Sequence, residues 1–249
     1  LAEMGLLGLP FPEEHGGFGG SAVDVMLVME ALGEALLVEP YLTNVGVAGR
    51  LVHRDGSEAQ RKQILPALIQ GRQRLALAHT EAGARYELRH VGARAKSAGD
   101  GWVLEGEKRA VLHAGAAGTL IVSARTAGAD TDASGIRLFL VDRAARGVTV
   151  KEYRTIDELR AADVWLSDVT VGRDALLGGE GQALPLLEEV ADYATALLCA
   201  EAVGAIRYAN DTTLEYLKTR RQFGVPIGSF QALQHRMVEM VISYEQARS

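Results

Sequence analysis

The chain has 249 residues, 48% of them hydrophobic and 23% charged, with a formal net charge of −6. That length fits one large domain or two to three modest ones, and no apolar run is long enough to span a bilayer, so membrane insertion is not expected. The acidic balance is spread along the chain without a basic stripe, which argues against nucleic acid and leaves any anionic ligand to local clusters.

The first third reads as helical. "GLPFPEEHGGFGG" is a loop rich in glycine and proline; it lacks the Walker lysine and a preceding Rossmann strand, so it reads as structural rather than phosphate-binding. After it, "SAVDVMLVMEALGEALL" opens with Ser21 and carries Asp24 at the capping-box offset, with Val25, Leu27, Val28, Ala31, Leu32 and Ala35 at helical spacing. A second start, Ser57 with Gln60, opens "SEAQRKQILPALIQG", which closes at Gly71.

From about Arg74 the pattern changes to short strands: "RLALAH", "VGARAKSA", "WVLEGEKRAVL", "TLIVSART", "IRLFLVD", "VTVKEY" and "AADVWLSDVTV", separated by glycine and aspartate turns. Strands at this spacing predict a compact barrel or sandwich. After Gly178 and Gly179 the helical period returns in "GQALPLLEEVADYATALLCAEAVGAIRYANDTTLEYLKTR", long enough to belong to a bundle. The turn "QFGVPIG" then reverses the chain into a helix with Leu233, Met237, Met240, Val241 and Tyr244 on one face. The expected architecture is α+β multidomain: an N-terminal all-α domain over 1–73, a middle β-barrel domain over 74–177, and an incomplete C-terminal α-helical bundle over 178–249.

The phrase "RRQFGVPIGSFQALQHRMVEM" holds the parts of an anion site: Arg220 and Arg221, the aromatic Phe223, three turn residues and Ser229 as the expected N-cap. A plainer reading stands beside it, in which the arginines favour a helix C-terminus and Phe223 caps the core. The single cysteine, Cys199, excludes an internal disulfide, fits a reducing compartment, and reads as a small buried hydrophobe on a helix. The six histidines, His15, His53, His79, His90, His113 and His235, form no HExxH motif and no helical pair, so no metal is assigned. The chain opens at Leu1 without a leader-like segment and stops at Ser249 within a helical pattern, as an interior piece of a longer protein would.

Four phrases, "LGLPFPEEHGGFGG", "LALAHTEAGA", "GWVLEGEKRAVLHAG" and "RRQFGVPIGSFQALQ", resemble the acyl-CoA dehydrogenase family along essentially the whole chain. "AHTEAGARYEL", "TLIVSARTAG" and "ATALLCAEAVGA" resemble in particular the small subunits of pimeloyl-CoA dehydrogenase. The resemblance implies a helical domain, a small β-barrel and a helical bundle, with FAD between barrel and bundle and reaching a neighbouring subunit. It implies dehydrogenation of an acyl-CoA to its trans-2-enoyl-CoA, with an electron-transferring flavoprotein as acceptor, in a cytoplasmic homo- or heterotetramer. It assigns Thr80, Arg220, Phe223 and Gln231 to the flavin, Arg220 at its pyrophosphate across a subunit interface, and Asp192 to the acyl-CoA.

The sequence also departs from the family pattern. Where the family continues "TEP" into "GSD", this chain places Arg85 and Tyr86, so an altered or closed pocket is expected, with residues 85–87 partly filling the groove between strands and long helix. Ala110 and Leu112 stand where the family has the tryptophan and threonine facing the flavin ring. Loss of the aromatic contact costs about 0.5–1.5 kcal/mol beyond area, and loss of the hydroxyl about 1 kcal/mol. The family base lies on a later helix in most members, and in others at the position of Ala194, next to Thr195, so no catalytic residue is named in this chain. Glu188 and Glu189 read as a solvated acidic face. Three functions follow: an FAD-dependent dehydrogenase, a flavin-poor partner subunit that completes a homologue's site, or an acyl-CoA binding module without redox activity.

Overall fold

Both sequence signals for helix starts are realised as reciprocal capping boxes. The Ser21 hydroxyl accepts the Asp24 amide while the Asp24 carboxylate accepts the Ser21 amide at 2.7 Å, opening α1 (Ala22–Glu34). Ser57 and Gln60 do the same for α3 (Glu58–Ile69). The buried face of α1 is Val25, Met29 and Gly33, spaced by four, while Leu27 is exposed, so the inward stripe is narrower than the expected one. The computed structural model describes residues 1–179 and 183–249; Gly181 and Gln182, the first two residues of the expected long helix, lie outside them.

These residues form two compact units, Leu1–Gly20 with Val38–Ala194, and Ser21–Leu37 with Thr195–Ser249. In the first, the opening loop holds two short 3-10 turns, Leu6–Gly8 and Glu13–His15. A π-helical segment, Leu42–Gly49, runs into α2 (Arg50–Asp55); it has no side-chain cap and contains two glycines, so no local signal announces it. Tertiary burial of Val45, Ala48, Leu51 and Val52 holds it instead. Asn44 Oδ1 accepts the Leu75 amide at 2.8 Å and ties the segment to the first strand.

All seven expected strands are present: β1 (Leu75–Ala78), β2 (Arg94–Ala98), β3 (Gly101–Leu112), β4 (Thr119–Arg125), β5 (Ile136–Asp142), β6 (Val148–Arg154) and β7 (Arg160–Gly172). A two-residue β8 (Leu176–Leu177) completes an eight-stranded sheet in the order β6-β7-β3-β2-β4-β5-β8, with β1 parallel to β4. One apolar core takes residues from strands near both ends of that path, Val164 and Val169 of β7 with Phe139 and Val141 of β5, so the sheet curls around a shared centre as the barrel expectation requires. Two bulges interrupt β3·β7: one extra residue on β7 near Asp168, and one on β3 at Arg109–Ala110. Arg125 is wholly buried and donates to five carbonyls, those of Arg89, Val91, Asp130, Asp132 and Ser134, fastening the loop after β4 to the segment before β2.

The long helix α4 (Ala183–Thr219) carries 37 residues. In the second unit its distal part packs on α1 at two glycines: a Cβ at Gly33 would enter the van der Waals shell of the Glu201 carbonyl, and one at Gly204 that of the Glu30 carbonyl. After α4, the two-residue strands β9 (Arg221–Gln222) and β10 (Val225–Pro226) make a hairpin leading to α5 (Gln231–Arg248). Leu233, Met237, Met240 and Tyr244 form the half-buried face of α5, while Val241 is 44% exposed. Two expectations are corrected here. Ser229 is not the N-cap: its hydroxyl donates to the Pro226 carbonyl at 2.7 Å, and Phe230 holds the cap position without a capping side chain. Cys199 is exposed, because the buried face of α4 runs through Leu197, Ala200 and Val203 and leaves position 199 outside it.

Candidate functional site

In the first unit the candidate residues collect where β1 ends beside the β3 bulge. Thr80 follows β1 and is exposed; its carbonyl accepts the Arg109 amide at 2.7 Å, which joins it to the bulge. At the bulge Ala110 adopts φ 51°, a left-handed conformation that alanine avoids, and its amide donates to Asp163 Oδ1 at 3.2 Å. The same carboxylate takes the Arg109 guanidinium at 2.7 Å and the Tyr153 hydroxyl at 3.1 Å. Arg109 also bonds Glu107 at 2.9 Å and lies over the Trp165 ring, 5.2 Å from its centroid. The bulge is thereby braced from three sides, with Ala110 exposed at its crest.

Beneath Thr80 lies a buried polar cluster. The Lys108 ammonium, with no exposed side-chain surface, donates to Glu81 Oε1 at 2.6 Å, Ser123 Oγ at 2.9 Å and the His79 carbonyl at 3.3 Å. Glu81 accepts the Gly92 and Ala93 amides at 2.5 and 3.0 Å, and His79 Nδ1 meets Ser123 Oγ at 2.9 Å. Burial pushes the Lys108 ammonium down to about 8, still charged at neutral pH. Burial works to raise the Glu81 carboxyl, but Lys108 and the two amides outweigh it and hold the group below its usual value. Burial also draws His79 down to about 4, so its ring is neutral. The arrangement fixes Thr80 between two anchored residues, His79 and Glu81.

The groove-filling expectation for residues 85–87 is corrected. Arg85, Tyr86 and Glu87 are all exposed and Tyr86 is 102% so, because the left-handed Arg85 (φ 51°) turns the chain outward. Glu189 is not a free acidic surface: it accepts Arg50 at 2.9 Å and Arg54 at 3.1 Å, and Arg50 stacks 3.9 Å over the Tyr193 ring. Glu188 and Asp192 are exposed on α4, and Ala194 is half-buried.

The second unit brings Arg220, Phe223 and Gln231 onto one reverse turn and the helix that follows. Phe223 and Gly224 form the two-residue loop between β9 and β10 with φ 54° and 83°, the left-handed pair that a tight hairpin demands. Phe223 is 92% exposed, touching Phe230 edge-on at 6.2 Å. The Arg220 carbonyl accepts the Ile227 amide at 2.8 Å, pinning the turn's base, while its exposed guanidinium makes no ion pair among the described residues. Gln231 is the first residue of α5 and exposed. The plainer reading of Phe223 as a core cap is thus overturned by its exposure.

Sequence reasoning passed over Lys108, Glu81 and Ser123. The strand periodicity held a signal: Lys108 lies four residues after the buried Leu104 and so shares its inward face. Among the described residues no helix is long and apolar enough to cross a membrane, and no group of His, Cys, Asp or Glu is arranged to hold a metal ion.

Comparison with known proteins gives one consistent answer. The N-terminal, middle and C-terminal domain models of acyl-CoA dehydrogenases match residues 1–72, 76–169 and 184–249. A probable acyl-CoA dehydrogenase of Bacillus subtilis, YngJ, is 31% identical over all of this chain and 67% of its own length. The structure of butyryl-CoA dehydrogenase from Megasphaera elsdenii superposes with a TM-score of 0.92 at 26% identity, over 99% of this chain and 67% of that one. An FAD complex of PigA does so with a TM-score of 0.92 at 27% identity, over 99% and 66%. The chain thus spans about two thirds of the length of the relatives it matches.

Proposed function

Given that the chain belongs to the acyl-CoA dehydrogenase family, we propose that the protein takes part in FAD-dependent α,β-dehydrogenation of an acyl-CoA thioester within an oligomer. The observation that carries this reading is the turn at 220–231: an exposed aromatic in a left-handed conformation three residues from an exposed guanidinium that makes no ion pair among the described residues, at the start of a helix whose first amides have no capping side chain. Such a surface suits the phosphates and ring of a dinucleotide, since guanidinium matches phosphate as a fork and a helix start favours the same charge.

Arg220 would hold the pyrophosphate of a flavin bound by the adjoining subunit, with Phe223 and Gln231 beside that dinucleotide, while Thr80 with the crest of the β3 bulge would face the flavin ring of this chain's own site. When bound, FAD supplies acceptance of the β-hydrogen as hydride. Asp192 would meet the CoA part of the substrate, and neither Glu188 nor the ion-paired Glu189 is given a role as base. An electron-transferring flavoprotein as acceptor, and a cytoplasmic location, complete the reading. The likeness to pimeloyl-CoA dehydrogenase small subunits rests on three short sequence phrases.

A second reading is favoured by one observation: the crest of the bulge presents only the methyl group of Ala110. In that reading the chain binds flavin poorly at its own ring site and lends Arg220, Phe223 and Gln231 to a homologous subunit. Titration of FAD into the purified protein, followed by turnover of an acyl-CoA with an artificial electron acceptor, tests both. One flavin per chain with turnover supports the dehydrogenase; flavin bound only after a homologue is added supports the partner subunit. No flavin under either condition would overturn both.

A further inference from the structure

The outer face of the sheet carries an aromatic side chain beside the bulge crest. Ala161 of β7 stands directly opposite Leu112 of β3 on one side and Tyr153 of β6 on the other, so the three form one cross-strand row on one face. The next residue of β7, Ala162, belongs to the barrel core together with Val164; alternation therefore turns Ala161, Leu112 and Tyr153 away from that core. Within the row Ala161 is buried, Leu112 is half-buried and Tyr153 is 39% exposed.

A hydrogen bond fixes where the phenol lies. Its hydroxyl donates to Asp163 Oδ1 at 3.1 Å, and the Ala110 amide donates to the same oxygen at 3.2 Å, so the tyrosine tip and the exposed bulge crest meet at one atom. The other oxygen of Asp163 takes the Arg109 guanidinium at 2.7 Å, a charge-assisted bond that keeps the carboxylate from turning away. Burial, with the Asp163 carboxylate, holds the phenol above the usual tyrosine value, so it remains the donor at neutral pH. A ring pinned at its polar tip has already lost the rotamer freedom that binding would otherwise remove, while its open surface is still available for contact. Between Tyr153 and Leu112 the floor is the methyl group of Ala161, and two strand spacings, about 10 Å, separate β6 from β3. That is a shallow apolar bed suited to a planar fused-ring system. We infer that Tyr153 supplies from the neighbouring strand the aromatic contact to the flavin ring that Ala110 lacks, and is a cofactor-binding residue of this chain's own site. The inference rests on the dehydrogenase reading and opposes the partner-subunit reading, in which the ring site binds flavin poorly.

Calorimetric titration of FAD into the purified protein tests this, with circular dichroism melts on the same samples to register folding. Tyr153→Val and Tyr153→Thr both remove the ring with β-branched residues that suit the edge strand β6, and Tyr153→Phe keeps the ring and loses only the hydroxyl. The two variants without a ring should bind FAD about three- to tenfold more weakly than the parent, the size of one aromatic contact, and Tyr153→Phe should lose less. FAD bound as tightly by Tyr153→Val and Tyr153→Thr as by the parent would overturn the inference and leave the dehydrogenase reading standing. Equal losses in Tyr153→Val and Tyr153→Phe would assign the effect to the hydroxyl bridge and overturn the ring contact. Flavin bound only after a homologue is added, to the same affinity with parent and Tyr153→Val, would overturn it in favour of the partner subunit. No flavin bound by the parent with or without a homologue would overturn the dehydrogenase reading and this inference with it.

Discussion

Lys108 Nζ lies 2.6 Å from Glu81 Oε1 with its side chain wholly removed from solvent. Removing one partner leaves the other charge buried and alone, which costs about 3–5 kcal/mol. Glu81→Gln and Lys108→Met are each expected to lower the unfolding free energy measured by urea titration by that amount, while the double variant Glu81→Gln/Lys108→Met recovers part of it. A loss in the double variant equal to the sum of the two single losses would show that the pair does not act as one unit.

Neutral His79 gives the fold a pH dependence of known sign. Its folded value of about 4 lies below the ordinary histidine value, so between about pH 6.5 and 4 the unfolded chain binds the extra proton. Stability therefore falls as pH falls through that window, by about 3 kcal/mol at its lower end. His79→Gln should flatten that part of the profile relative to the parent, measured by urea melts at half-unit steps. A parallel profile in the variant would assign the acid limb to carboxylates alone.

Gly33 and Gly204 allow α1 and the distal part of α4 to approach backbone to backbone. Alanine would ordinarily gain about 0.5–1 kcal/mol in a helix. Here the added methyl meets a carbonyl, and overpacking of this kind costs about 1–3 kcal/mol. Gly33→Ala and Gly204→Ala should therefore both lower the melting temperature, whereas an increase in either would mean that the helices separate freely.

Arg220 is the residue on which the flavin reading turns. Arg220→Ala should reduce FAD affinity by about one to two orders of magnitude, equivalent to about 1.5–3 kcal/mol, and leave the far-ultraviolet circular dichroism unchanged. A helix-end role alone would cost about 0.3–1 kcal/mol of stability with flavin content unaltered. FAD titration and thermal melts on the same samples separate the two outcomes.

Much of the architecture was legible in the sequence because its signals are local. Ser21 with Asp24 and Ser57 with Gln60 carry their own capping geometry, and the seven longer strands announce themselves by apolar runs between glycine and aspartate turns. The segment Leu42–Gly49 was not legible, because it has no cap and is held by burial against residues distant in sequence. The same distinction governs the site. Phe223–Gly224 could be read as a turn from its residues, but whether Phe223 faced core or solvent depended on packing that no nearby residue encodes. The exposure of Tyr86 was equally hidden, since it follows from the left-handed turn at Arg85. Lys108 and Glu81 were visible as residues but not as a pair: β2 and the turn into β3 lie between them, and the sheet brings them together.

The parallel pairing of β1 with β4 also sets an order of assembly. β2–β3, β4–β5 and β6–β7 are antiparallel neighbours in sequence and can close as local hairpins, whereas Leu75–Ala78 must find Thr119–Val122 across the whole of β2 and β3. Distant pairings incur their loop-closure entropy before they gain contacts, and they slow folding towards about milliseconds to seconds. The strand that leads into Thr80 is thus the late arrival in the sheet. Its conformation, and with it the anchored pair His79 and Glu81, is fixed only after the surface it lies on has formed. In kinetic terms Leu77→Ala should accelerate unfolding with little effect on the folding rate, while Val103→Ala in the β2–β3 hairpin should slow folding.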